Sequence, residues 1–166
     1  MNNDRILINK LKSFESVNSN FLNIVLALFG TLLLAISSKV QVPFWPVPMT
    51  MQTFVIFLIG MTYSVRLSFA TVALYLLEGA AGLPVFASGG GIAYLTGPTA
   101  GYLYGMLLAS VVISHFANLG FSKTYLKSVI SLIAGSIVIF SIGILYLGSI
   151  IGYQKAIVAG LLPFIP

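Results

Sequence analysis

Gln52, Glu78, Trp45 and the run Gly89-Gly90-Gly91 are the residues whose types could do chemistry in a chain of 166 residues that is otherwise almost wholly apolar. The chemistry they suit is binding. Gln52 carries an amide that can hydrogen-bond a polar ligand, with helix capping or solvent exposure as its plain alternatives. Glu78 is the only acid after Glu15. An ionisable group inside a membrane span costs ~2.5–3.5 kcal/mol at mid-bilayer and less near the interface. Glu78 therefore suits ligand hydrogen bonding, proton coupling or pairing with Lys39, or else simple solvation at the interface. Trp45 is the single tryptophan and lies among Pro43, Pro46 and Pro48. Those prolines forbid helix and favour extended backbone, and a stiff aromatic loop loses little entropy when it closes over a ligand. The alternative for Trp45 is an anchor in the aromatic belt of a membrane protein. Gly89, Gly90 and Gly91 allow positive φ and close approach of backbone to a ligand, or a plain flexible loop. No Gly-Lys-Ser/Thr follows them and a dinucleotide fingerprint is absent, so the loop is not a phosphate cradle.

Other chemistries have no residues to stand on. There is no paired-acid site, no nucleophile with a base beside it and no cluster with metal-ligand spacing, and the chain contains no cysteine. No enzyme activity, no metal and no cofactor are expected. His115 stands apart from both polar segments and reads as a packing residue. The net charge of +5 comes from eight basic residues spread over connecting segments. That suits membrane topology rather than nucleic acid.

The elements that must position these residues are apolar helices. Charged residues make up 7% of the chain, against about a quarter in a soluble domain, and the mean hydropathy is +1.05. Uncharged runs extend over 16–38, 40–65, 79–122 and 128–154. At ~1.5 Å per residue, ~20 residues cross the ~30 Å apolar core of a bilayer. The expected fold is an all-α membrane bundle of five spans, about 21–38, 49–64, 67–83, 99–119 and 125–147, forming a single domain over 21–166. A polar, amphipathic lead over 1–20 precedes it, and the first span is read as retained rather than cleaved. Pro98 suits a first helical position. The tail 148–166 reads as an interfacial segment leading toward a further span.

Small residues recur at spacings of four in two places, Ala27, Thr31 and Ala35, and then Gly101, Gly105 and Ala109. Each stripe lets a helix approach closely, and for the first that helix belongs either to this bundle or to a partner subunit. Arg5, Lys10, Lys12, Arg66, Lys123 and Lys127 fall on one side of such a bundle, with Lys39 and Lys155 on the other. Basic residues favour the cytoplasm. The N-terminus is therefore expected inside, and the two polar islands, about 39–52 and 84–97, outside.

Both islands resemble the BioY family, the biotin-specific substrate-binding (S) components of energy-coupling factor (ECF) transporters. The resemblance lies in Gln41-Val-Pro-Phe-Trp-Pro-Val-Pro-Met-Thr-Met-Gln-Thr53, in Gly82-Leu-Pro-Val-Phe86 and in Gly97-Pro-Thr-Ala-Gly-Tyr102. The closing Leu162-Pro-Phe-Ile-Pro166 is similar to the family's lead into its last helix. The resemblance implies a six-helix fold in the plasma membrane that captures biotin from outside. It also implies a membrane-embedded T subunit and two ATPases as partners, with lipid around the bundle. Trp45 and the prolines would cover the site, and Phe86 and Tyr94 would line its apolar part. Gln52 and the backbone of Gly89, Gly90 and Gly91 would supply hydrogen bonds, with Glu78 a further candidate, and Ala27, Thr31 and Ala35 would face the T subunit. Two departures stand out: the sixth helix with its polar residues is expected to be missing after Pro166, and an asparagine that some members carry in the glycine loop has no counterpart at Gly89–Ile92. The alternatives are an S component for another vitamin, a small proton-coupled carrier using Glu78, and a structural membrane subunit.

Overall fold

The computed structural model describes residues 19–164. All but the last two residues of the expected polar lead lie outside them. Helix α1 spans Ser19–Lys39. A two-stranded hairpin follows, β1 Gln41–Val42 antiparallel to β2 Met49–Thr50, with Gln41 opposite Thr50 and Val42 opposite Met49. Helices α2 Gln52–Thr62 and α3 Val65–Ala80 come next. A loop and a 3-10 turn over Ile92–Thr96 lead to α4 Ala100–Asn118, and a second 3-10 turn over Phe121–Lys123 leads to α5 Tyr125–Ile151. A short α6, Tyr153–Gly160, and a 3-10 turn over Leu162–Phe164 complete the described chain.

Among the described residues three helices, α1, α4 and α5, are long and apolar enough to cross a membrane. Helix α5 extends four residues beyond the expected 147, and its 27 residues make ~40 Å of helix, longer than the ~30 Å hydrocarbon core. The expected helical start at Met49 is corrected. Met49 and Thr50 are strand, because Pro43, Pro46 and Pro48 hold the segment extended and its ends pair as a hairpin. That leaves α2 with 11 residues, ~16 Å of helix. Helix α3 begins two residues earlier than expected, where the Ser64 hydroxyl accepts from the Leu67 N–H at 3.2 Å as an N-cap. Pro98 is not the first helical residue. It sits in the turn before α4, closed by the Ala100 N–H on the Gly97 carbonyl at 3.0 Å.

Helices α4 and α5 make the most extensive pair, and α2 and α3 also pack on α4. The stripe Gly101, Gly105 and Ala109 is buried and serves contacts inside the bundle. A side chain on Gly105 would start 2.9 Å from the Ile139 backbone. The two backbones touch, and only a residue without Cβ fits. Gly105→Leu is expected to force the pair apart and cost ~2–3 kcal/mol. A thermal melt in detergent checks this, and an unchanged midpoint would refute it.

The other stripe lies on α1. Thr31 is buried and its hydroxyl donates to the Leu28 carbonyl at 3.0 Å. Ala27 and Ala35 are half-buried and pack on the bundle's own core. The row that α1 turns outward is Ile24, Leu28, Leu32 and Ile36.

Candidate functional site

The two polar islands meet at one end of the bundle. Three successive carbonyls of the second island receive three side chains from the end of α1 and β1. Ser38 Oγ, whose single proton is shared between Ala35 O at 2.7 Å and Val85 O at 2.8 Å, reaches the first, Lys39 Nζ donates to Phe86 O, and Gln41 Nε2 donates to Ala87 O at 3.3 Å. Lys39 is thus committed to a carbonyl, and the structure forms no ion pair between it and Glu78. The second island folds back on itself as well, with Phe86 N–H on Gly89 O at 2.9 Å and Gly91 N–H on Gly79 O at 2.7 Å. Gly89 and Gly91 adopt φ of +135° and +96°, a region that only glycine enters freely. The N–H of Gly89 is also spent, on the Phe86 carbonyl at 3.3 Å. Of the three glycines expected to offer backbone donors, this leaves Gly90.

Two connected spaces lie between the islands. A small chamber of about 30 Å³ is lined by Val47, Pro48, Thr50 and Gln52 from the first island side and by Ala87, Tyr94, Thr99, Tyr102, Leu103 and Met106 opposite. An open cleft of about 400 Å³ shares Pro48, Tyr94 and Thr99 with it and adds Pro46, Ser88, Gly90, Ala93, Gly97 and Pro98. The amide of the chamber is Gln52, which is 4% exposed. Its Nε2 donates to Tyr75 Oη at 2.7 Å, and its Oε1 accepts from Thr50 Oγ1 at 3.1 Å. Tyr94 forms the shared wall. Its ring is stacked on Phe86 at 4.9 Å between centroids, and Phe86 meets Tyr75 edge-on at 5.4 Å. Phe86 itself is fully buried; it backs the wall rather than lining either space.

The structure therefore gathers Gln52, Tyr94 and Gly90 around one site and places Phe86 behind it. Glu78 is half-buried and lines neither space. Trp45 is 86% exposed and lines a separate groove with Ile150, Ile151, Gln154, Lys155, Val158 and Ala159. Thr50, Tyr75, Thr99, Tyr102 and Met106 were not singled out from the sequence. Tyr75 had a signal: a phenol in an apolar helix three residues before Glu78, whose hydroxyl needs a partner when buried.

The BioY family model matches residues 10–166. The chain belongs to the BioY family. Over 162 residues it is 35% identical to the "Probable biotin transporter BioY" of Rickettsia prowazekii, covering 97% of this chain and 83% of that one. It is 38% identical over 143 residues to the "Probable biotin transporter BioY" of Pyrococcus horikoshii, covering 85% and 83%. It also superposes, with a TM-score of 0.79, on a crystal structure of the S-component for biotin from an ECF-type ABC transporter, at 24% identity and covering 91% of this chain and 85% of that one. That likeness shows a shared fold. These BioY relatives are named as transporters, not enzymes. With its long apolar helices, this BioY chain is a multi-pass integral protein of the plasma membrane.

Proposed function

We propose that this chain captures biotin at the outer membrane face as the S component of an ECF-type importer. The observation that carries the reading is the family match over residues 10–166, with relatives named as biotin transporters. The site geometry supports it. Ligand pockets are mostly apolar, with a few placed polar groups and volumes of ~300–1,000 Å³. The chamber alone is too small at about 30 Å³, and the cleft at about 400 Å³ falls in range. Biotin is a fused bicyclic ring with a ureido head and an aliphatic tail. Its head would reach the chamber at Gln52, and its rings would lie between Pro46 and Pro48 on one side and Tyr94 and Pro98 on the other. Widening the chamber requires the hairpin segment 43–48 to lift, so that segment would act as the lid.

Binding does not move the solute. ATP hydrolysis by two ATPases, coupled through a T subunit, would do so. The larger share of basic residues on the N-terminal side of the loops supports a cytoplasmic N-terminus, which puts both islands outside. A T subunit would meet α1 along Leu28, Leu32 and Ile36, with Ala27 and Ala35 at the margin of that surface and Thr31 too deep to reach it.

The test is a calorimetric titration of the full chain in detergent with biotin, riboflavin and thiamine in turn. Saturable binding of biotin alone is the expected result, and binding of another vitamin in its place would overturn the assignment. Trp45→Ala is expected to weaken biotin binding by about 3–10-fold, the value of one aromatic contact made when the lid closes. An unchanged affinity would remove Trp45 from the lid.

A further inference from the structure

Tyr75 touches neither the chamber nor the cleft, yet it fixes the only buried amide in the chamber. Its hydroxyl lies 2.9 Å from the Val85 carbonyl and 2.7 Å from Gln52 Nε2. A phenol has one proton, and a carbonyl oxygen can only accept. The proton therefore belongs to Val85, and Tyr75 Oη must accept from Gln52. The group of Gln52 beside Tyr75 is then its NH₂ end, the orientation in which Gln52 Nε2 donates to Tyr75 Oη.

The other end agrees. Thr50 Oγ1 accepts the Gln52 backbone N–H at 3.4 Å and stands 3.1 Å from Gln52 Oε1. Its own proton is free to go to that oxygen. This arrangement of protons satisfies the whole chain from Val85 through Tyr75 and Gln52 to Thr50, and it leaves the Ser38 hydroxyl its bond to the Ala35 carbonyl at 2.7 Å. In it the amide has spent one of two N–H donors and one of two acceptor lone pairs. What remains is one donor and one acceptor, on a residue that is 4% exposed and beside a chamber with room for no more than about two waters.

We infer that Tyr75 is a positioning residue for ligand recognition: by locking the Gln52 amide against Val85, it makes the chamber selective for a head group that carries an N–H donor beside a carbonyl acceptor, as a cyclic urea does. This rests on the biotin reading and adds the atom-level rule by which the head is chosen. With Tyr75 replaced by phenylalanine, nothing holds the NH₂ end in place. The amide turns over or samples both orientations, and its preference for an N–H on the ligand falls.

The experiment titrates the full chain in detergent with biotin and with biotin methylated on a ureido nitrogen, for wild type, Tyr75→Phe, Gln52→Ala and the double variant. Wild type should prefer biotin by about 100-fold, the loss of a buried hydrogen bond plus a clash. Tyr75→Phe should bind biotin about tenfold more weakly and shrink the preference to about tenfold or less. In the Gln52→Ala background Tyr75→Phe should add no more than about twofold, because the group it positions is gone. A role confined to packing would lower both affinities equally and add its full effect in both backgrounds; that result overturns the inference. If Tyr75→Phe does not fold, Thr50→Val decides. It removes the hydroxyl from the other end of the amide at a half-buried position and leaves the Tyr75 bonds in place, so the preference should persist there; its loss would make Thr50 the group that orients the amide and would overturn the inference. Failure of wild type to bind biotin would instead overturn the functional reading. Biotin binding with an unaltered preference in Tyr75→Phe would overturn only the role of Tyr75.

Discussion

Gln52→Leu is expected to lower the affinity for biotin about 100-fold and to leave the fold intact. The amide has one donor and one acceptor left after Tyr75 and Thr50 take their share. Both sit on a residue that is 4% exposed, away from bulk solvent. Each hydrogen bond from a buried group to the ligand is worth ~1–3 kcal/mol when its partner is removed. Losing two at the lower end of that range amounts to about 100-fold. The folding cost is small by comparison. Leucine fills nearly the same volume, Tyr75 keeps its bond to Val85, and Thr50 is half-buried and keeps the backbone N–H of residue 52 as a partner. Calorimetric titration gives the affinity and a thermal melt of the same sample gives the stability. An affinity within threefold of wild type would take Gln52 out of the contact set.

The membrane bundle was legible because hydrocarbon writes itself into a sequence one helix at a time. Uncharged runs of bilayer length marked α1, α4 and α5, and the small-residue stripe at Gly101, Gly105 and Ala109 marked a close helix pair. The hairpin of β1 and β2 was not legible. Three prolines announced extended backbone, but pairing is a relation between Gln41 and Thr50 across the loop, and no local property of either residue encodes it. For the same reason α2 was placed three residues too early.

The site divides along the same line. Gln52 and Tyr94 were found because an amide and a phenol stand out in their islands, and both line the chamber. Glu78 stood out for the same reason and lines neither space. Composition shows that an ionisable group is unusual; only the fold shows which way it faces. Trp45 and the prolines looked like one lid, yet the tryptophan lies over α5 and α6 while Pro46 and Pro48 face the cleft. Tyr75 could be reached from sequence only by asking where a buried hydroxyl would find its partner. The answer, the Val85 carbonyl and Gln52, lies in two other segments of the chain.

Phe86→Ala is expected to be the most damaging single substitution in the site region, at ~3–5 kcal/mol of stability. The ring is fully buried and fills the space above Gly79, where even a Cβ would collide with it. In a bilayer the transfer of apolar surface from water contributes little to helix packing, so the loss is one of direct contact: the walls of the void have no atoms opposite them. The edge-on pair with Tyr75 and the stack under Tyr94 go with it. Tyr94 then loses the support that holds it as the wall common to chamber and cleft, and biotin affinity should fall by about tenfold or more, the value of one ordered aromatic contact at its upper limit. The backbone bonds between Phe86 and Gly89 and the Lys39 contact to the Phe86 carbonyl do not involve the ring. They persist in Phe86→Ala and in Phe86→Leu, so comparing the two variants isolates the ring. Leucine restores most of the volume without the stack and should cost no more than ~1.5 kcal/mol. If the two variants melt together, the ring is not what holds the wall. If alanine melts far lower while both bind biotin as wild type does, Tyr94 does not need its backing, and the wall is fixed by the bonds of the second island alone.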